Sequence, residues 1–276
     1  MKNFILVVII IILLAIIAIL GYGFYVTLVP PPVVEAPSVV EDEETASDLD
    51  IVLDLPSEGE LVTSPLVIKG QARVFEGTVE YQIKSSAGVV LASGFTTTEA
   101  TEPGEFGDFE ERIFLPVLEE ETFVLEVFWS SPADGQRQDI VTRNLRVKDT
   151  GKVSVDVFFV DTAVAAVEDC AAVDAEKRTF ATTTNVAELA LEELLKGPTK
   201  EWASTQIPEF TKLKSIDIVD GVARVVFDSI RTEDWSGGSC HVSAIQAQIT
   251  RTLTQFPTVD TVEINVNGES ENILQP

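Results

Sequence analysis

Cys240 and His241 stand side by side at the start of a helical pattern, behind Gly237-Gly238-Ser239, and no other stretch suggests nucleophilic chemistry as strongly. A helix N-terminus can depress a thiol pKa, and a glycine-rich turn can cradle an oxyanion. Adjacent residues on a helix do not face each other, however, so His241 is badly placed to take a proton from Cys240. Cys170, the only other cysteine, is available to consume the thiol. An even cysteine count in an oxidising compartment points to a Cys170 to Cys240 disulfide. Such a bridge closes a loop of about 70 residues and contributes about 4 kcal/mol by chain entropy.

Metal chemistry finds little support. His241 is the only histidine, and two cysteines with one histidine fall short of a zinc ligand set unless a carboxylate joins them. An exposed histidine at a helix start is the plainer expectation. Carboxylates are too abundant for an acid/base pair to be singled out, and Glu110-Glu111 and Glu119-Glu120-Glu121 read as turn or edge charges that discourage strand pairing. The Asp134 to Asp139 loop is at most a weak calcium site. No calcium-loop, G-x-S-x-G, phosphate-loop or dinucleotide motif occurs. The tryptophans Trp129, Trp202 and Trp235 are expected in core or domain-interface packing. The sequence therefore names no catalytic, cofactor-binding or metal residue, and only Cys170 and Cys240 as site residues.

The elements that position these residues begin with an apolar segment. Asn3 to Val34 contains no charged side chain, and Phe4 to Leu20 is almost entirely Ile, Leu, Val and Ala. Roughly 20 such residues cross a bilayer as a helix, and Tyr22, Phe24 and Tyr25 suit an interfacial belt. A cleaved signal peptide and a buried core helix compete with this reading, but the run is long for a signal core and no A-x-A site precedes Pro30. Lys2 lies before the span and Glu35 and Glu41 to Glu44 after it, so the bias of basic residues keeps the N-terminus cytoplasmic. The expectation is an anchor over 1–29, an acidic Pro-rich linker over 30–48, and everything beyond it outside the cytoplasm.

The remaining residues suffice for two domains. Of the 276 residues, 45 are acidic and 19 basic, a net charge of -26, which argues against nucleic acid as a partner. Residues 49–149 alternate apolar and polar in short runs at 51–55, 66–74, 79–83, 89–95, 109–115, 123–129 and 140–147, punctuated by turn glycines. About seven short strands without a helix describe an immunoglobulin-like β-sandwich. Residues 150–276 change to a small α/β pattern. A strand covers Val153 to Phe159, and a helix starts at Asn185 with Glu188 as a capping box and ends at Gly197-Pro198. A hairpin turns at Asp220-Gly221, a helix runs from Ser239 to Phe256, and Val262 to Val266 is a last strand. Two helices packed on one sheet are expected.

Pro56-x-x-Gly59, Ser64-Pro65-Leu66, Gly70-x-Ala72, Phe75-Glu76-Gly77 and Gly88 resemble the immunoglobulin-like domain associated with bacterial spore germination. Val157-Phe158-Phe159, Leu194-Leu195-Lys196-Gly197-Pro198, Thr205-x-Ile207-Pro208, Asp220-Gly221-x-Ala223-x-Val225 and the run Thr252 to Pro257 resemble the GerM-type sporulation and spore-germination domain. These resemblances imply a bacterial envelope protein, tethered at the cytoplasmic membrane, that works in assembly or maturation around spores without enzymatic activity or cofactors. The expected partner is an envelope protein or cell-wall component. A wall-modifying hydrolase or thiol enzyme is the alternative.

Overall fold

The computed structural model describes residues 49–100, 102, 104–165, 169–270 and 273–274; the expected anchor over 1–29 and linker over 30–48 lie outside them. Among the described residues no helix is long and apolar enough to cross a membrane. The protein is mostly β-sheet with few helices.

Period-two alternation builds the first half. Its strands are β1 (Ile51–Leu55), β2 (Leu61–Val62), β3 (Leu66–Ala72), β4 (Thr78–Ser85), β5 (Val90–Thr97), β6 (Gly107–Ile113), β7 (Thr122–Ser130) and β8 (Arg137–Val147). They form a three-stranded sheet, β1-β3-β6, and a five-stranded sheet, β2-β8-β7-β4-β5. Ile68, Phe109, Val79, Ile83, Leu125 and Val127 from the two sheets meet in one core. Gly70 is required by a close approach, because a Cβ there would run into the Val52 carbonyl and the Phe109 ring. The two-residue β2 and a single helical turn at Phe75–Gly77 are additions to the seven expected strands.

The second half contains β9 (Lys152–Asp161), β10 (Val173–Ala181), α1 (Val186–Leu195), β11 (Ala203–Ser204), β12 (Lys212–Val219), β13 (Val222–Asp228), α2 (Ser239–Leu253) and β14 (Thr261–Val266). The single expected sheet is in fact two, ordered β10-β9-β11 and β12-β13-β14. They stay separate because β9 has both edges taken by β10 and β11, and β13 has both taken by β12 and β14, the last in parallel across the α2 crossover. Asp220 and Gly221 take φ of 51° and 80°, the two positive values a tight β12–β13 turn requires. The capping box does not form. Asn185 makes no cap to the helix backbone and donates instead from Nδ2 to Glu188 Oε2 at 2.8 Å.

Leu49 onward packs as one compact unit because the two halves exchange core residues. Phe114, just past β6, is buried in the cluster formed by β9, α1, α2 and β13, while Ala181 at the end of β10 is buried in the sandwich core. Between them Leu115 is fully buried on the sandwich side. Two ion pairs cross the same boundary, Arg112 with Glu188 and Lys152 with Glu119, both at 3.0 Å.

Candidate functional site

The groove beside this junction holds three ionisable groups raised by burial, Tyr81, Glu111 and Glu192. Along β6, Phe109, Glu111 and Ile113 share the inward face, so Glu111 points between the two sheets at their open edge. α1 closes over that edge and brings Glu192, one turn beyond Glu188, to the same place. Two adjoining cavities of about 440 and 320 Å³ share Glu111, Glu192 and Leu213 in their walls. Lys196 and Lys212 line the smaller one, where Phe95, Thr96 and Thr97 of β5 form the opposite wall.

Among the described residues neither Glu111 nor Glu192 has an ion-pair partner, and burial decides their chemistry. It raises the Glu111 carboxyl against the opposing hydrogen bond from Thr96. It pushes Glu192 up to about 7, with the charge of Glu111 adding to the effect. Tyr81, which faces inward from β4, is raised by burial and then by the charges of Glu111, Glu192 and Glu193. A carboxyl that titrates near neutrality beside a second carboxyl can hold or pass a proton, or accept a cation in place of one.

The sequence expectation of turn or edge charges holds for Glu110, which is exposed and paired with Lys69 at 2.9 Å, but not for Glu111. Its signal was present, since the spacing Phe109-x-Glu111-x-Ile113 puts it on the core face of the strand. Glu192 gave no such signal, because the sandwich supplies its burial.

A second cluster explains the Leu194-Leu195-Lys196-Gly197-Pro198 signature. Arg178, only 11% exposed, bonds Glu176 Oε1 at 2.9 Å and Glu193 Oε2 at 3.0 Å, and also donates to the Gly197 carbonyl at 2.6 Å. Gly197, at φ 80°, turns that carbonyl towards the guanidinium as α1 ends. Glu176 also accepts from the Thr199 N–H at 2.9 Å and the Thr199 hydroxyl at 2.7 Å. Burial alone would raise Glu176; the two Thr199 bonds and Arg178 outweigh it and hold the carboxyl below its ordinary value. Every charge is answered within the cluster, which marks it as structural.

Cys170 and Cys240 are joined in a disulfide, with Cα atoms 5.0 Å apart, that ties the turn before β10 to the first turn of α2. His241 is half-buried rather than exposed, since the loop around Asp234 and the segment at Gln206 fold over it. Its Nε2 donates to the Asp234 carbonyl at 2.9 Å, and Nδ1 lies 3.1 Å from Gln206 Oε1. Both ring nitrogens are thereby engaged by Asp234 and Gln206. Asp134 and Asp139 are not brought together as ligands: Asp134 caps the Gln136 N–H at 3.1 Å, and Asp139 accepts from Trp129 Nε1 at 2.7 Å. Among the described residues no group of three potential metal ligands is assembled. Trp235 is fully buried 5.3 Å from the Phe227 ring, whereas Trp129 and Trp202 are half-buried.

Comparison with known proteins gives two family matches. Residues 50–136 match the immunoglobulin-like domain of bacterial spore germination, and residues 156–272 match the sporulation and spore germination domain. No curated protein matches the chain. Among solved structures, the tandem GerMN domains of the Bacillus subtilis sporulation protein GerM are 23% identical, over 44% of this chain and 41% of that one, with a TM-score of 0.34. The first GerMN domain alone is 23% identical over 43% of this chain and 85% of that one, with a TM-score of 0.35. A putative lipoprotein from Clostridium perfringens is 20% identical over 44% and 80%, with a TM-score of 0.27. The chain thus spans less than half the length of the tandem GerM structure. By its two consecutive matches, the chain belongs to the GerM-type sporulation and spore-germination proteins, with a germination-associated immunoglobulin-like domain ahead of the GerM-type domain.

Proposed function

We propose that this is a membrane-anchored, extracytoplasmic, non-enzymatic envelope protein that binds or assembles an envelope protein or cell-wall component. The observation that carries the proposal is the interlocked junction. Phe114 and Ala181 each sit in the other half's core, so residues of both halves form one fixed composite surface. A binding module needs such a preorganised surface, since ordering it on contact would cost affinity. The disulfide suits an oxidising compartment, and the charge-free segment near the N-terminus suits a tether in the bacterial cytoplasmic membrane with the N-terminus inside. Crosslinking of the full-length protein in intact envelopes tests this. Recovery of a defined adduct from the membrane fraction is the expected result; a cytosolic protein with free thiols and no adduct would overturn it.

One observation favours a second reading. Glu192, raised to about 7, shares a groove wall with Glu111, and a carboxylic acid with a carboxylate is the pair of groups that glycoside hydrolysis employs. Release of soluble fragments from purified wall polymer by the native protein, abolished in Glu192→Gln, would establish a wall-modifying hydrolase; no release by the native protein removes that reading.

A further inference from the structure

Among the described residues the five-stranded sheet ends at β5, whose outer edge has no partner strand. Among the described residues, the regular part of β5, Ala92–Thr97, bonds through its backbone only to β4. Natural edges are blunted by charges, proline, bulges or a covering element. β5 has a bulge at Leu91 but no charged residue and no proline, so beyond Leu91 the ladder is open. Phe95 stands on its outward face and is 67% exposed.

This edge runs into the groove already described. Phe95, Thr96 and Thr97 are one wall of the cavity of about 320 Å³, opposite Leu195, Thr211 and Leu213. Phe210, adjacent to that far wall, is 70% exposed and holds a φ of 60°. A bulky side chain in the left-handed region is uncommon and costs backbone energy, and such strain concentrates at binding sites. Two exposed aromatics therefore flank one open edge that leads to a pocket.

Charge selects the occupant. Glu80 lies directly beside Phe95 in the strand register, and among the described residues Glu111 and Glu192 in the groove have no ion-pair partner. Lys196 is taken up by Glu193 at 2.6 Å, which leaves Lys212 as the other cation of the cavity wall. A second copy of a chain with net charge -26 would bring these carboxylates against their own images. We propose that β5 docks an extended segment of a partner protein with alternating apolar and basic residues. It adds a strand along Ala92–Thr97, packs an apolar side chain on Phe95, and places a Lys or Arg in the groove against Glu111 and Glu192. This names the partner class for the binding role proposed above and rests on it.

The test uses the full-length protein in detergent micelles and a labelled decapeptide of alternating valine and lysine at physiological salt. Saturable binding is expected, with slowed amide exchange confined to Ala92–Thr97 and its neighbours. Phe95→Asp, at an exposed position, should leave circular dichroism unchanged and weaken binding at least tenfold, and Glu192→Gln several-fold. A peptide with proline at alternate positions should not bind. Failure to saturate, equal binding by Phe95→Asp or by the proline peptide, protection elsewhere, or β5-dependent dimers in sedimentation would each overturn the inference. A photocrosslinker placed in envelopes at position 95, and separately at Val219 on the β12–β13 turn, separates the two claims. Adducts at 219 alone sink the β5 site and leave the binding role standing; adducts at neither sink both.

Discussion

The backbone N–H of Ala181 donates to the carbonyl of Leu115 at 3.0 Å, and Pro116 pairs with Phe180 beside it. This short antiparallel bridge joins the segment leaving β6 to the end of β10, so the boundary between the two family modules is itself hydrogen-bonded sheet. Phe114 lies one residue before the bridge and Ala181 at its other end, and each is buried in the other half's core. The halves are therefore expected to unfold together.

Phe114→Ala tests that coupling. Phe114 is 7% exposed among Val157, Phe159 and α1 side chains, although it follows a strand of the sandwich. Its truncation should cost about 3–5 kcal/mol, the range for buried phenylalanines. In urea titrations followed by far-ultraviolet circular dichroism and tryptophan fluorescence, both signals should move to lower midpoints together. A shift in only one would show that the halves are independent.

Arg178→Met removes the centre of the ion cluster and leaves Glu176 without its cation, while Glu193 keeps only Lys196. Breaking a buried pair from one side costs about 3–5 kcal/mol. The pH dependence has a definite sign. Glu176 is depressed in the folded state, so its contribution is present above the ordinary glutamate value of 4.5 and is lost as pH falls below it. Thermal scans should show the native protein losing stability below that pH, with the loss reduced in Arg178→Met.

β10 shows why part of this fold was not legible in the sequence. Val173–Ala181 buries Glu176 and largely buries Arg178 on its inward face, so the period-two apolar signal that revealed β1, β3, β4 and β9 is inverted there. Without β10, the division into two sheets could not be inferred. The helices α1 and α2 and the β12–β13 turn were legible because apolar spacing, Asp220-Gly221 and Gly197-Pro198 are local signals. The groove depends on one half covering the other, which no local pattern encodes. Only Glu111, alternating with Phe109 and Ile113, carried a trace of it.

Reduction of the Cys170–Cys240 bridge should lower stability by about 4 kcal/mol, because the bridge spans 70 residues of sequence. Alkylation of the unreduced native protein should label neither cysteine, and the urea midpoint should fall on adding dithiothreitol. Labelling of both without reductant would contradict the bridge and restore Cys240 as a candidate nucleophile.

Glu192 provides a test with the opposite pH sign. In the unfolded chain it titrates near its ordinary value of 4.5, and in the folded protein at about 7. The folded state binds the proton more tightly, so the contribution is fully present below 4.5 and disappears as pH rises through 7. Native stability should therefore decline across that window, by at most on the order of 3 kcal/mol from this residue. Groups facing it from the packed elements are Glu188 and Glu193 on α1, Lys196 at its C-terminal cap, Glu111 on β6, Tyr81 on β4 and Lys212 on β12. Because the Glu111 charge contributes to the shift, Glu111→Gln should move the decline to lower pH, while Glu192→Gln should flatten it. Denaturant midpoints of the three proteins at pH 4, 6 and 8 distinguish these outcomes. Identical profiles for native protein and Glu192→Gln would mean that water reaches Glu192 and that the groove does not perturb it.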